Sequence, residues 1–237
     1  MADDLSEDGL LDGRVRLRQP RQGFRAAIDP VLLAAFVPAR SGDVVLELGC
    51  GSGAAFLCLG ARVPGISVRA VERDQALAAL AQGNAALNGV TAEVHAGDAR
   101  EIQDLGPVDH ALANPPYWTG GTASPDAAKR QAAHEDAALL DWIAVMARAT
   151  RHKGTLSLVL PASRFAEAAG LLGDAGCGGV RLLPLWPRAG VAAKRVLIQA
   201  RKGGKGPDEV LPGLVLHEAD GSPTQAAEAV LRGASGL

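Results

Sequence analysis

From residue 43 onward, short apolar runs alternate with longer segments of helical periodicity, and that alternation leaves the chain very few architectures. Residues 44–48 (VVLEL), 67–72 (SVRAVE), 92–97 (AEVHAG), 108–113 (VDHALA) and 155–161 (TLSLVLP) read as strands. Helical patterns over 54–62, 74–88, 139–150 and 163–175 separate them or follow them. Strand–helix–strand repetition builds a parallel sheet with helices on both faces. Two more strands, 180–186 and 194–202, are joined by a short basic loop without a helix, so one of them must run antiparallel. The expectation is an α/β chain with a Rossmann-like seven-stranded sheet that ends in an antiparallel hairpin.

Neither an internal repeat nor a linker divides the sequence, and residues 1–237 read as a single domain. Residues 1–12 carry five acids and no basic residue, and read as a solvated, disordered tail. Residues 13–42 form a lead-in over the ligand pocket, with an edge strand at 15–18 and a helix begun by Asp29 as N-cap and Pro30 at the first helical position. Residues 207–237 form a C-terminal extension whose helix starts near Thr224.

Composition removes several classes. Hydrophobic residues make up 48% and charged residues 21%, a globular balance; aromatics at 3% leave the core to Ala, Val and Leu. The formal net charge of −2 excludes a chain that binds nucleic acid as a uniform polycation. Basic residues are instead grouped in 14–25 and 181–205, on either side of a nearly neutral middle. Three cysteines without ligand spacing imply a reducing compartment and no metal site. The start of the chain lacks the features of a signal peptide, and no apolar run reaches the ~18 residues of a membrane helix, so the expected location is cytoplasmic.

Glu47-Leu48-Gly49-Cys50-Gly51-Ser52-Gly53 follows the first strand of the alternating series and opens a helix. Glycines serve where backbone turns tightly and lies against a ligand. Taken alone, the loop suits a dinucleotide or a plain strand–helix turn. Glu72, 19 residues beyond Gly53 at the end of the next strand, stands where a ribose-binding carboxylate sits in such folds, although a strand-end surface acid is the plain alternative. The G-x-G-x-G spacing with an acid two residues before it suits S-adenosylmethionine, which has no pyrophosphate and carries a cationic amino-acid end. Gly97-Asp98-Ala99 ends the third strand, where Asp98 is positioned either to accept from an adenine amino group or to cap a helix.

Asn114-Pro115-Pro116-Tyr117 follows the fourth strand and is the most specific signal in the chain. Proline fixes its own φ and holds the preceding residue extended. A proline-stiffened loop would account for that much. A chemical role accounts for all four residues. An exocyclic amino group on a base is a weak nucleophile because its lone pair is delocalised. Acceptance of both N–H bonds, by the Asn114 side chain and the Pro115 carbonyl, pulls the nitrogen towards sp³. Tyr117 can stack on the base. Neither a metal nor a strong base is required, because positioning and desolvation supply the catalysis.

In this order, ELGCGSG, VERD, GDAR and NPPY resemble the class I S-adenosylmethionine-dependent methyltransferases of amino groups. The lead-in QPRQGFRAAIDPVLLAAF, the segment AAHED and the late AGVAAKRVLIQARK are similar to the bacterial tRNA(valine) adenine-37 6-amino methyltransferases, over roughly residues 12–232. Pro30 stands where that family has alanine, harmlessly so at a first helical position. The resemblance implies that Glu47, Gly49, Gly51, Gly53, Glu72, Asp98, Ala99 and Asn114 hold the cofactor, and that Asn114, Pro115, Pro116 and Tyr117 hold the target amino group. It places Arg25 and Asp29 over the pocket, with Arg25 a candidate substrate contact, and His134 and Glu135 within reach of substrate, all four with structural alternatives. Lys194 and Arg195, in the basic loop, are the expected phosphate contacts, against the alternative that they coat an exposed hairpin.

The implied activity is methylation of an adenine 6-amino group in a tRNA anticodon loop at position 37. Protein glutamine methylation uses the same NPPY, but those enzymes carry a sizeable helical domain before the glycine loop. Here 48 residues precede Gly49. Guanine 2-amino methylation of RNA is a further alternative, and a catalytically inactive cofactor- or RNA-binding protein is the reading from another class.

Overall fold

A computed structural model of the chain describes residues 4–23, 25–102, 104–115 and 139–237. Pro116, Tyr117, His134 and Glu135 lie outside the described residues.

The apolar runs form the central sheet: β3 (Val44–Leu48), β4 (Ser67–Glu72), β5 (Thr91–Ala96), β6 (Val108–Ala113), β7 (Thr150–Pro161), β8 (Cys177–Trp186) and β9 (Arg195–Lys202). Their spatial order is β5-β4-β3-β6-β7-β9-β8. β9 runs antiparallel to both β7 and β8, which is the expected hairpin, and the other neighbouring pairs are parallel. Two short strands, β10 (Glu209–Val210) and β11 (Leu214–Val215), also pair with β8. They cover the open edge of β8, which would otherwise leave backbone groups unpaired.

Alternate residues of a strand point to opposite faces, and the core divides accordingly. Val45 and Leu112 pack in one apolar cluster, with α1 (Ile28–Phe36), α2 (Ala54–Arg62), α3 (Gln75–Leu87) and α6 (Gln225–Leu231). Leu46, Leu48, Ala111 and Ala113 pack in the other, with α4 (Leu139–Ala149) and α5 (Phe165–Asp174). Helices thus cover both faces. Side chains cap α3 and α6: Asp74 accepts from the N–H groups of Ala76 and Leu77, and Thr224, near the expected start of the last helix, from that of Ala227. α1 differs, because it starts at Ile28 without a side-chain cap, and Asp29 lies inside its first turn.

The acidic start of the chain is not a disordered tail. Leu5–Leu10 forms β1, antiparallel to β2 (Val15–Pro20), in a separate two-stranded sheet. Complementary charge is the physical reason: Glu7 takes Arg16 at 2.8 Å and Arg18 at 3.1 Å, and Asp8 takes Arg25 at 2.8 Å. The acidic and basic blocks, separated in sequence, answer one another once the hairpin closes.

Two asparagines one turn apart, Asn84 in α3 and Asn88 at its C-cap, then stand in for a neighbouring strand along β2. Asn84 accepts from the N–H of Arg18 at 3.1 Å and donates to its carbonyl at 2.8 Å. Asn88 does the same for Arg16, at 2.8 Å both ways. Asn84, fully buried, also donates to the carbonyl of Ser52 in the glycine loop at 2.9 Å. Asn84→Ala strands these backbone groups and is expected to lower unfolding free energy by about 2–3 kcal/mol, as read in urea. A loss below about 0.5 kcal/mol, the scale of an ordinary surface change, would show that the hairpin docks without it.

Candidate active site

Four adjacent parallel strands end side by side. Leu48 pairs with Val71 on one flank and Ala113 on the other, and Glu72 pairs with Ala96. Gly49, Glu72, Gly97 and Asn114 therefore stand in one row along the C-terminal edge of the sheet. The chain runs outward from β3 through β4 to β5, then returns to the other side of β3 at β6. This reversal opens the crevice in which open α/β sheets bind their ligands.

The glycine loop turns sharply on residues of positive φ. Gly51 has φ of +55°, and a Cβ on it would find nothing within 4 Å. Its N–H donates to Glu72 Oε2 at 2.7 Å, and Glu72 Oε1 accepts from the Asp74 N–H at 2.9 Å. Glu72 is half-buried, and each oxygen retains lone-pair capacity beyond its one backbone donor. A carboxylate beside a bare backbone surface fits an adenosyl ligand, whose ribose offers two hydroxyls. Gly53 starts α2 as its N-cap, with φ of +94°.

Glu47 lies beneath the loop. It is 3% exposed, and Oε2 accepts the N–H of Phe56 in the first turn of α2 at 2.8 Å. Burial, with the Glu72 charge adding to it, pushes its pKa up to about 8, against the Phe56 N–H, so the group is largely protonated at neutral pH. In the structure it serves as an internal brace for the loop.

Asp98 stands at the end of β5 and begins a turn rather than a helix, accepting from the Arg100 N–H at 2.9 Å. The Arg100 guanidinium also grips both carboxylate oxygens, at 3.0 and 2.6 Å. This holds the Asp98 pKa down to about 2, with the charge fixed as an acceptor. Asn114, half-buried, and Pro115, buried, begin the loop after β6.

On the far side of the crevice, Pro161 at the end of β7 pairs with Arg195 at the start of β9. Arg195 Nε lies 3.3 Å from Asp29 Oδ2, which ties the first turn of α1 to the hairpin. Lys194 is exposed, and its carbonyl accepts the N–H of Ala162. Arg25, read as a substrate contact, is engaged by Asp8, Ser6 and the carbonyl of Pro20. Sequence reasoning missed Arg100, which fixes the Asp98 carboxylate but reads as an ordinary turn position with no spacing signal to mark it.

Among known proteins, the family description "methyltransferase small domain" matches residues 27–171, the stretch from α1 into α5 that carries every loop of the crevice. The chain belongs to this family. Members similar to it include proteins named tRNA1(Val) (adenine(37)-N6)-methyltransferase. That of Aeromonas hydrophila is 31% identical over 85% of this chain and 86% of its own length. That of Aeromonas salmonicida is 30% identical over 90% and 91%. Among solved structures, a predicted O-methyltransferase of Agrobacterium tumefaciens aligns at TM-score 0.73 and 25% identity, over 88% of this chain and 98% of that one. The family makes the chain a methyltransferase that uses S-adenosylmethionine. Among the described residues no helix is long and apolar enough to cross a membrane, and no group of acidic, His and Cys residues could hold a metal.

Proposed function

We propose that the chain transfers a methyl group from S-adenosylmethionine to the 6-amino group of an adenine in tRNA, at position 37 of the anticodon loop, in the cytoplasm. The observation that carries this reading is the placement of Asn114-Pro115 at the lip of the sheet, next to the glycine loop. The names of the relatives, at 30–31% identity over most of the chain, support the substrate.

Glu72 binds the ribose hydroxyls, Asp98 accepts from the adenine amino group of the cofactor, and Gly51 leaves its backbone bare to the ligand. The bound cofactor supplies a methyl group on a cationic sulfur. Asn114 and the Pro115 carbonyl accept the two N–H bonds of the target amino group and aim its lone pair at that methyl carbon. Transfer to the aligned nitrogen would leave S-adenosylhomocysteine, with the C–S electron pair kept by sulfur, and the nitrogen would then lose a proton to solvent. The chain contributes alignment and the exclusion of water. Tyr117 is the stacking partner of the base in this reading. The loop context of the target makes extrusion of the base inexpensive compared with a duplex.

Phosphate contacts come from the hairpin. In the lead-in, Arg16, Arg18 and Arg25 are answered by Glu7 and Asp8; in the hairpin Lys194 is exposed, and Arg195, at the start of β9, exchanges its Asp29 partner for a phosphate in this reading. Replacing Lys194 and Arg195 together by Ala is expected to weaken tRNA binding and reduce the slope of log K against log salt by roughly 1.5, about two single-strand contacts. Binding of S-adenosylhomocysteine should be unchanged. An unaltered slope would reduce both residues to a solvated coat on the hairpin.

A further inference from the structure

Beside the glycine loop lies a buried side-chain donor with no hydrogen-bond partner among the described residues. Trp142 stands near the start of α4, and its ring atoms Cη2 and Cζ3 lie 2.5 and 3.0 Å from where a Cβ on Gly49 would be. The indole thus rests against the first glycine of the loop, whose φ is +61°. Its Nε1 is buried and, among the described residues, has no hydrogen-bond partner. An indole N–H can only donate, and buried indoles usually find an acceptor. Packing does not explain the choice of residue, because phenylalanine or leucine would fill the same flank of the second core cluster without stranding a donor.

The neighbouring residue points the same way. Asp141 lies 3.7 Å from Arg100, which grips Asp98. The first turn of α4 therefore touches the glycine loop through Trp142 and the end of β5 through Asp141. These two contacts bracket the part of the crevice between Gly49 and Asp98.

We propose that Trp142 belongs to the cofactor site: its ring walls the crevice over Gly49, and its N–H donates to an acceptor of the adenosyl group, a purine ring nitrogen or a ribose oxygen. This rests on the cofactor proposed above. An uncharged donor suits an uncharged acceptor, and in this proposal the stranded N–H gains its partner only in the complex.

The test uses S-adenosylhomocysteine, which binds without turnover. Indole ¹H–¹⁵N spectra of the full-length protein, assigned with Trp118→Phe and Trp186→Phe, should show the Trp142 cross-peak moving downfield in proton shift as ligand saturates. Calorimetry of Trp142→Phe should show affinity lower by about fivefold, the scale of one neutral hydrogen bond. Its ligand-free melting temperature should not fall, because the substitution removes an unsatisfied donor. A Trp142 cross-peak indifferent to ligand, or unchanged affinity in the variant, overturns the proposal. If Trp142→Phe does not fold, the wild-type spectrum decides alone. If the wild-type protein does not bind S-adenosylhomocysteine at all, the cofactor reading fails and this inference with it.

Discussion

Asn114→Ala is expected to cut methyl transfer by about 10²–10³-fold while leaving S-adenosylhomocysteine affinity nearly intact, the scale seen when one preorganised polar group is removed from a transition state. The side chain sits at the end of β6, one residue past the pairing of Ala113 with Leu48, so deleting its amide leaves the strand ladder untouched. Its acceptor matters little to a planar amino group and much to one becoming tetrahedral. The loss should therefore fall on kcat rather than on KM. Single-turnover rates with tRNA in excess check this. Turnover within about threefold of wild type would make Asn114 a scaffold residue.

Glu72→Ala is expected to weaken cofactor binding by at least about 30-fold, the counterpart of ~2 kcal/mol for lost charge-assisted hydrogen bonds. Part of that loss is indirect, because the same carboxylate accepts from the N–H groups of Gly51 and Asp74 and so shapes the loop. The two contributions separate by experiment. Direct ribose contact predicts that adenosine, which lacks the amino-acid end, loses as large a factor as S-adenosylhomocysteine. A purely architectural role predicts a lower melting temperature for the ligand-free protein and little change in the affinity of either ligand. Calorimetry showing unchanged affinity for both ligands contradicts the assignment.

The parts of the fold legible in sequence are those where a single property dominates. β3, β4 and β6 are apolar runs between turn residues, and their limits coincide with those read from pattern alone. Asp74 announces its helix as a cap, and the start of the last helix is legible near Thr224. The parts that stay hidden are held by partners distant in sequence. LSEDGL has no apolar alternation to mark it as β1, because Arg16, Arg18 and Arg25 supply what stabilises it. β7 starts at Thr150, five residues before its apolar run, since Arg151, His152 and Lys153 are exposed there and look like a loop. β10 and β11 are two residues each and exist only because β8 has an open edge.

The candidate site divides in the same way. Glu72 and the glycine loop carry their meaning in fixed spacing, and register brings them together with Asp98 and Asn114. Trp142 carries none, since its contact with Gly49 depends on how α4 packs. Arg25, a candidate substrate contact in sequence, is engaged by Asp8 in space, a pairing that depends on how the β1–β2 hairpin closes.

The most direct test of the central claim is mass spectrometry of nucleosides and of anticodon-loop fragments after unmodified tRNA is incubated with the protein and methyl-labelled S-adenosylmethionine. The account predicts one labelled methyl on adenosine, chromatographing as the N6 isomer and located at position 37 of the anticodon loop. Label found on guanosine, on protein amide, or nowhere would contradict it.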